Sequence, residues 1–119
     1  MSDSGKRILI VDDDRSNASV VAKLLTRCGY ETTFELSAER ALKAAAALRP
    51  DVVITDLSLP DMSGYDLARR LRKHANGMQK IIALTGHAPE HADGDDSIFD
   101  EYLSKPADIK TLRKAIDGG

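Results

Sequence analysis

Residues 8–14 read ILIVDDD, an apolar run with three β-branched residues that ends in three successive carboxylates. A short run of this kind between helical patterns predicts a buried parallel strand. The same arrangement returns three times, because Asp56 follows VVIT, Thr85 follows IIAL and Lys105 follows YLS. In an open parallel sheet, ligands bind beyond the carboxyl ends of the strands. We therefore expect these carboxylates, the hydroxyl and the ammonium to meet at one edge of a sheet.

The rest of the chain alternates between strand and helix patterns. The predicted strands are 6–11, 30–35, 51–55, 80–84 and 101–104. Between the strands, apolar residues recur at the spacing of a helix. These residues are Val20, Val21, Leu24, Leu25, Cys28, Ala41, Leu42, Ala45, Leu48, Leu67, Ala68, Leu71, Ile109, Leu112 and Ile116. The third helix is expected to begin near Gly64. Residues 86–98 have few apolar positions and predict only a short or frayed fourth helix.

Helix boundaries also have local signals. Asp14, Ser37 and Asp108 are suited to N-cap positions, because their side chains can accept hydrogen bonds from the first turn. Gly29 is placed to end the first helix in a left-handed conformation. We interpret Asp14 as a structural cap rather than a member of the site.

Length and alternation together predict the fold class. The chain has 119 residues, enough for one domain, whereas a (β/α)₈ barrel needs roughly 250. Five βα units therefore favour an α/β doubly wound parallel sheet with helices on both faces. Under the flavodoxin-like strand order 2-1-3-4-5, strands 1 and 3 are neighbours, and Asp12, Asp13 and Asp56 face one another.

Composition narrows the functional classes. The net charge of -2 gives no reason to expect binding to nucleic acid or an anionic membrane. One cysteine cannot form an internal disulfide, which suits a reducing cytosol. The sequence contains neither a signal-like segment nor an apolar stretch near 18 residues. We expect a soluble, cytoplasmic protein.

Crowded carboxylates favour a metal ion and phosphoryl chemistry. Like charges about 4 Å apart repel by about 4 kcal/mol at the dielectric of a protein surface. Mg²⁺ would relieve that repulsion, because it binds one or two carboxylates and shares phosphate oxygens. Asp56 is the best candidate nucleophile, since aspartyl phosphates are known covalent intermediates. Mg²⁺, Lys105 and Thr85 would each neutralise one phosphoryl oxygen.

Four segments together resemble the receiver domain of two-component response regulators. They are ILIVDDD at 8–14, DVVITDLSLPDMSGYDL at 51–67, IIALTGHA at 81–88 and EYLSKPAD at 101–108. With the spacing between them they cover the chain, so residues 1–119 are expected to form a single receiver domain with no output domain. The strand order 2-1-3-4-5 is also the order of that family.

The resemblance implies a role for each residue of the acidic site. Asp56 would be the phosphoacceptor. Asp13 would bind Mg²⁺ directly together with Asp56, Asp12 would bind it through water, and the backbone carbonyl of Ser58 would be a further ligand. Ser58 and His87 occupy positions that tune dephosphorylation in the family.

The resemblance also implies a switch and partners. Thr85 and Lys105 would hold the phosphoryl group, and Tyr102 matches the aromatic residue whose ring moves inward as Thr85 is drawn to it. The surface of the predicted fourth helix, the fifth strand and the last helix would report this change to a downstream protein target. The first helix would dock the donor, a histidine kinase or histidine phosphotransfer protein.

Several alternatives stay open at this point. Asp12 could be an ordinary helix cap, and Tyr102 could be plain core. The chain could be a phosphorelay intermediate or phosphate sink excised from a hybrid histidine kinase. More remote alternatives are a small aspartate-based phosphohydrolase, a flavodoxin-like cofactor carrier and an interaction module that works without phosphorylation.

Overall fold

The computed structural model describes residues 6–74, 80–86 and 98–117, which form five strands and four helices. In chain order these elements are β1 Arg7–Val11, α1 Arg15–Arg27, β2 Glu31–Glu35, α2 Ala38–Leu48, β3 Val52–Thr55, α3 Gly64–His74, β4 Lys80–Thr85, β5 Glu101–Ser104 and α4 Ile109–Asp117. Most of the fourth helix predicted within 86–98 lies outside the described residues, as do His87, Gly118 and Gly119. No helix in the described part of the chain combines the length and apolarity needed to cross a bilayer.

The five strands form one parallel sheet in the order β2-β1-β3-β4-β5, which confirms the predicted topology. Val11 at the end of β1 pairs with Thr55 at the end of β3. The ladder continues one residue further, since the backbone N–H of Asp56 donates to the Val11 carbonyl at 3.0 Å. This register brings the residues that follow β1 and β3 side by side.

Helices cover both faces of the sheet, as the doubly wound class requires. Side chains alternate between the faces along each strand. Ile8 and Ile10 belong to the core beneath α1 and α4, whereas Leu9 and Val11 belong to the core beneath α2 and α3. β1 and β3 are buried throughout their length apart from Arg7. The helices on the two faces therefore shield these central strands almost completely from water.

The predicted helix boundaries are confirmed by hydrogen bonds. Asp14, Ser37 and Asp108 each accept a bond from the backbone N–H three residues later, at 3.2, 3.3 and 2.8 Å. Gly29 follows α1 with a φ of 99°, a conformation that favours glycine. These local signals therefore place the starts of three helices and the end of one.

Two residues of the apolar helical patterns do not lie in the core. Val20 is 56% exposed and Leu48 is 37% exposed. The buried side chains of α1 are instead Ala18, Val21, Ala22 and Leu25. They form a stripe at spacings of three and four that excludes Val20. Leu48 is the last residue of α2, where the left-handed Arg49 turns the chain back toward the sheet.

A hydrogen-bonded cluster closes the amino-terminal edge of the sheet. Tyr30 precedes β2, is 4% exposed, and donates its hydroxyl to Asp117 Oδ2 at 2.7 Å. The Lys6 ammonium donates to Asp117 Oδ1 at 3.2 Å. Partial burial raises the pKa of Asp117, but the bonds from Tyr30 and Lys6 outweigh it, and the pKa lies below its ordinary value of 3.8.

We expect Tyr30→Phe to lower the free energy of unfolding by about 1 kcal/mol near neutral pH, because one bond to a charged group is lost. A carboxyl whose folded-state pKa is depressed stabilises the protein above its unfolded pKa and stops doing so as pH falls through the folded value. The difference between wild type and variant should therefore shrink below about pH 4.

Urea unfolding at several pH values checks this prediction. Tyr65→Phe is the matched control, because no hydrogen bond to the Tyr65 hydroxyl is present among the described residues, and it should change stability by less than about 0.5 kcal/mol. A Tyr30→Phe deficit that stays constant from neutral to acid pH would contradict the role given to Asp117.

Candidate functional site

Three carboxylates meet where β1 and β3 end. Asp12, Asp13 and Asp56 each offer a carboxylate oxygen, and these oxygens lie within 4.8 Å of one another. Asp12 is buried at 3% exposure, Asp13 is exposed and Asp56 is half-buried. The structure thus brings together the three residues that the sequence placed at this edge, and each of them has a different exposure to water.

Asp12 is held by three donors. Its Oδ1 accepts the backbone N–H of Asp14 at 2.9 Å. Its Oδ2 accepts the side-chain amide of Asn17 at 2.6 Å and the ammonium of Lys105 at 3.0 Å. An ionised carboxylate has about four lone-pair sites, so three of them are occupied. Asp12 can therefore accept about one further hydrogen bond, such as one from a water molecule on a metal ion.

Lys105 bridges the two strand ends. Its ammonium donates to Asp56 Oδ2 at 2.9 Å as well as to Asp12 Oδ2, and its backbone N–H donates to the Thr85 carbonyl at 2.7 Å. Burial by itself lowers the pKa of the Lys105 ammonium. Hydrogen bonds and attraction to Asp56 and Asp12 outweigh that effect and raise the pKa above its usual 10.5. Lys105 is consequently a cation at neutral pH, paired with two carboxylates.

The loop after Asp56 folds back against the site. The backbone N–H of Ser58 donates to Asp56 Oδ1 at 3.2 Å. Ser58 then pairs with Ser63 in an isolated antiparallel bridge, and Gly64 donates its N–H to the Leu57 carbonyl at 2.8 Å. A Cβ on Gly64 would stand 2.4 Å from the Asp56 carbonyl oxygen. The close approach of Gly64 therefore requires the absence of a side chain.

Thr85 and Tyr102 lie on the two neighbouring strands. Thr85 is the last residue of β4 and is 6% exposed. Tyr102 on β5 is half-buried, and its ring contacts Phe99 edge-on at 5.3 Å between centroids. Phe99 contacts Tyr65 in the same manner at 5.3 Å. The ring of Tyr102 thus packs in an aromatic row, which leaves its predicted switching role a prediction.

Asn17 supports the site and Asp61 holds the start of α2, although no sequence motif indicates a role for either residue. Asn17 donates to Asp12, as described above. Asp61 in the loop after β3 accepts the backbone N–H groups of Ala38 and Glu39 at 3.0 and 2.9 Å, so it caps the start of α2. Those bonds lower the pKa of Asp61. The position of Asn17 in the first turn of α1 could have indicated its role, because polar side chains there can reach back over the start of the helix.

The donor set suits a hard divalent cation. Oxygen ligands from carboxylates are those that Mg²⁺ and Ca²⁺ prefer. Asp13 is exposed, and among the described residues its carboxylate accepts no hydrogen bond, which leaves its oxygens available for direct ligation. The acidic cluster can therefore bind a metal ion.

Comparison with known proteins agrees with this geometry. The family model of the response regulator receiver domain matches residues 8–117. The chain therefore belongs to the response regulator receiver domain family, and its fold and function are those of a receiver domain.

Individual relatives point the same way. The DNA-binding response regulator MtrA of Mycobacterium tuberculosis is 38% identical over 109 residues, which are 90% of this chain and 47% of that protein. The chain spans about half the length of the curated relatives it matches.

Solved structures share the fold closely. The response regulator receiver domain (CheY-like) from Methylobacillus flagellatus is 32% identical, with a TM-score of 0.85 over 96% of this chain and 100% of that one. The response regulator TrrA from Thermotoga maritima, solved in complex with Mg²⁺-BeF, is 32% identical, with a TM-score of 0.84 over 93% of this chain and 96% of that one.

Proposed function

We propose that this receiver domain takes a phosphoryl group from a phosphohistidine donor onto Asp56 in a Mg²⁺-dependent reaction. One observation carries the proposal: the Asp56 carboxylate lies in a cluster with Asp12 and Asp13 and accepts a hydrogen bond from Lys105 at 2.9 Å. Phosphoryl transfer needs an oxygen nucleophile and positive charge around the transferred group, and this arrangement offers both.

The transfer exchanges a P–N bond of the donor for a P–O bond on Asp56. An Asp56 carboxylate oxygen attacks phosphorus, the O–P bond forms, and the P–N bond to the donor imidazole breaks. The imidazole leaves with the electron pair and takes a proton from solvent or from the donor protein. Lys105 moves from the Asp56 oxygen to a phosphoryl oxygen, and the Thr85 hydroxyl donates to another.

Mg²⁺ is the metal we propose for the acidic cluster. Asp13 and Asp56 would bind it directly, together with the backbone carbonyl of Ser58, and Asp12 would hold one of its waters. When bound, the ion supplies positive charge to a phosphoryl oxygen and lowers the repulsion among the carboxylates. The exposed Asp13 and the nearly saturated Asp12 suit these different roles.

The proposed output is a change of surface. The Thr85 hydroxyl would turn toward the phosphoryl group, and the Tyr102 ring would follow, which alters the exposed side of β5 and α4. A histidine kinase or histidine phosphotransfer protein would dock beside α1, and a downstream protein would bind the altered surface.

Because the net charge of the chain is -2, we propose that this domain acts through protein contacts in the cytoplasm rather than by binding nucleic acid itself. Ser58 and His87 would tune the rate at which the phosphoryl group is lost.

Intact-mass measurement after incubation with acetyl phosphate tests the proposed function. In the presence of Mg²⁺ we expect one acid-stable, base-labile phosphoryl group per chain, and none when EDTA removes the metal. A phosphohydrolase would instead release many equivalents of phosphate from a phosphomonoester. Phosphorylation that proceeds equally in EDTA, or multiple turnover of a phosphomonoester, would overturn the proposal.

A further inference from the structure

Asn17 makes the shortest hydrogen bond to the buried carboxylate of the site. Its side-chain amide nitrogen lies 2.6 Å from Asp12 Oδ2, and Asp12 is 3% exposed. A carboxylate at this position only accepts, so the amide presents its N–H₂ group to Asp12. Hydrogen bonds to an ionised acceptor are about twice as strong as neutral ones.

The same oxygen also accepts from Lys105, at 3.0 Å. Asn17 and Lys105 therefore approach Asp12 Oδ2 together, while the Asp14 N–H occupies Oδ1 at 2.9 Å. These donors fix how the Asp12 carboxylate is turned and leave about one lone-pair site for a further donor. Without Asn17, the carboxylate could rotate, and Lys105 would be its only side-chain partner among the described residues.

We propose that Asn17 is a positioning residue for metal binding: it orients Asp12 so that the remaining lone pair faces a water of the bound cation. The inference rests on the proposed function, because it assigns Asp12 to the metal's water shell. Partners that orient groups around a metal site typically contribute about 10- to 100-fold in affinity. Asn17 is absent from the set of site residues that the sequence motifs indicate.

The proposed role of Asn17 in metal binding can be tested separately from the stability of α1. Asn17 is the third residue of α1, and its backbone N–H donates to the Asp14 cap at 3.2 Å. That bond uses the main chain, so it survives a change of side chain. Alanine has a higher helix propensity than asparagine, so Asn17→Ala should leave the metal-free helix at least as stable. A loss of metal affinity would then come from Asp12 and not from unfolding of α1.

Titration of the full chain with MgCl₂, followed by isothermal calorimetry or NMR shifts, tests the inference. We expect Asn17→Ala and Asn17→Leu to weaken Mg²⁺ binding about tenfold, because both remove the donor and leucine keeps the same branched arrangement of heavy atoms. Asn17→Gln keeps an amide and should recover part of the affinity. Ser16→Ala is the control, since Ser16 is exposed on the same turn, and it should bind as wild type does.

The outcomes separate this inference from the proposed function. Asp13→Asn should lose most Mg²⁺ binding, and urea unfolding without Mg²⁺ should show all variants folded. If wild type and Asp13→Asn bind Mg²⁺ equally weakly, the proposed metal site is wrong. If wild type binds and Asp13→Asn does not, but Asn17→Ala or Asn17→Leu binds within twofold of wild type, only the role of Asn17 is wrong.

Discussion

Replacement of Asp56 by Asn is expected to reduce phosphorylation by acetyl phosphate to background, the largest effect of any single change in this domain. The amide is a poor nucleophile and carries no charge, so an O–P bond to this residue should not form. The fold should persist, because Asp56 is only half-buried and its backbone N–H, which continues the sheet, is unchanged. Intact mass after incubation with acetyl phosphate and Mg²⁺ measures the effect.

Asp66→Asn is the matched control for that experiment. Asp66 lies on the exposed side of α3, where it pairs with Arg69 at 2.7 Å, and the change removes the same charge without touching the site. The control should accept one phosphoryl group at the wild-type rate. A stoichiometric, metal-dependent phosphoryl group on Asp56→Asn would show that another residue is the acceptor.

Gly64→Ala is expected to destabilise the protein by about 3 kcal/mol, although alanine is the better helix former. Gly64 is the first residue of α3, and an added Cβ would stand 2.4 Å from the Asp56 carbonyl oxygen and 2.8 Å from the Leu57 Cα. Both neighbours are backbone atoms, so relief requires the loop to move. That movement would displace the Asp56 carboxylate, and we expect phosphorylation to slow together with the loss of stability.

Gly86→Ala provides the control next to the same site. Gly86 directly follows Thr85, and a Cβ there would meet no atom within 4 Å among the residues that the structure describes. Its effect on stability should stay within about 0.5 kcal/mol. Urea unfolding of both variants checks the pair. Equal stabilities for Gly64→Ala and Gly86→Ala would contradict the close packing between α3 and the residue that follows β3.

Much of the architecture follows from local sequence patterns. Apolar runs predicted β1, β3 and β4 to within a residue or two, because a strand buried on both faces has to be apolar throughout. The two edge strands, β2 and β5, are more polar and only partly buried. Asp14, Ser37 and Asp108 predicted helix starts since a cap acts on the turn directly beside it. The family resemblance supplied the strand order, which the alternation of elements alone leaves open.

Other features depend on which surfaces meet in space. Val20 fits the helical pattern but points to solvent. The apolar stripe that the periodicity predicts is wider than the face of α1 that packs against the sheet. Asp61 caps α2, a helix that precedes it in the chain, only because the loop after β3 returns to that end of the sheet. Such contacts join segments far apart in sequence, and no local pattern records them.

The acidic site likewise has some features that the sequence predicts and others that depend on packing. The sequence by itself determined that Asp12, Asp13, Asp56 and Lys105 would converge, since each follows a strand of one parallel sheet and all such ends share an edge. Only the tertiary structure decided that Asp12 is buried beneath Asn17 and Lys105 while Asp13 stays exposed. The packing of α1 against the sheet sets the burial and the hydrogen-bond partners of Asp12 and Asp13. Without that packing, the two neighbouring carboxylates have the same chemistry, and the sequence cannot tell them apart.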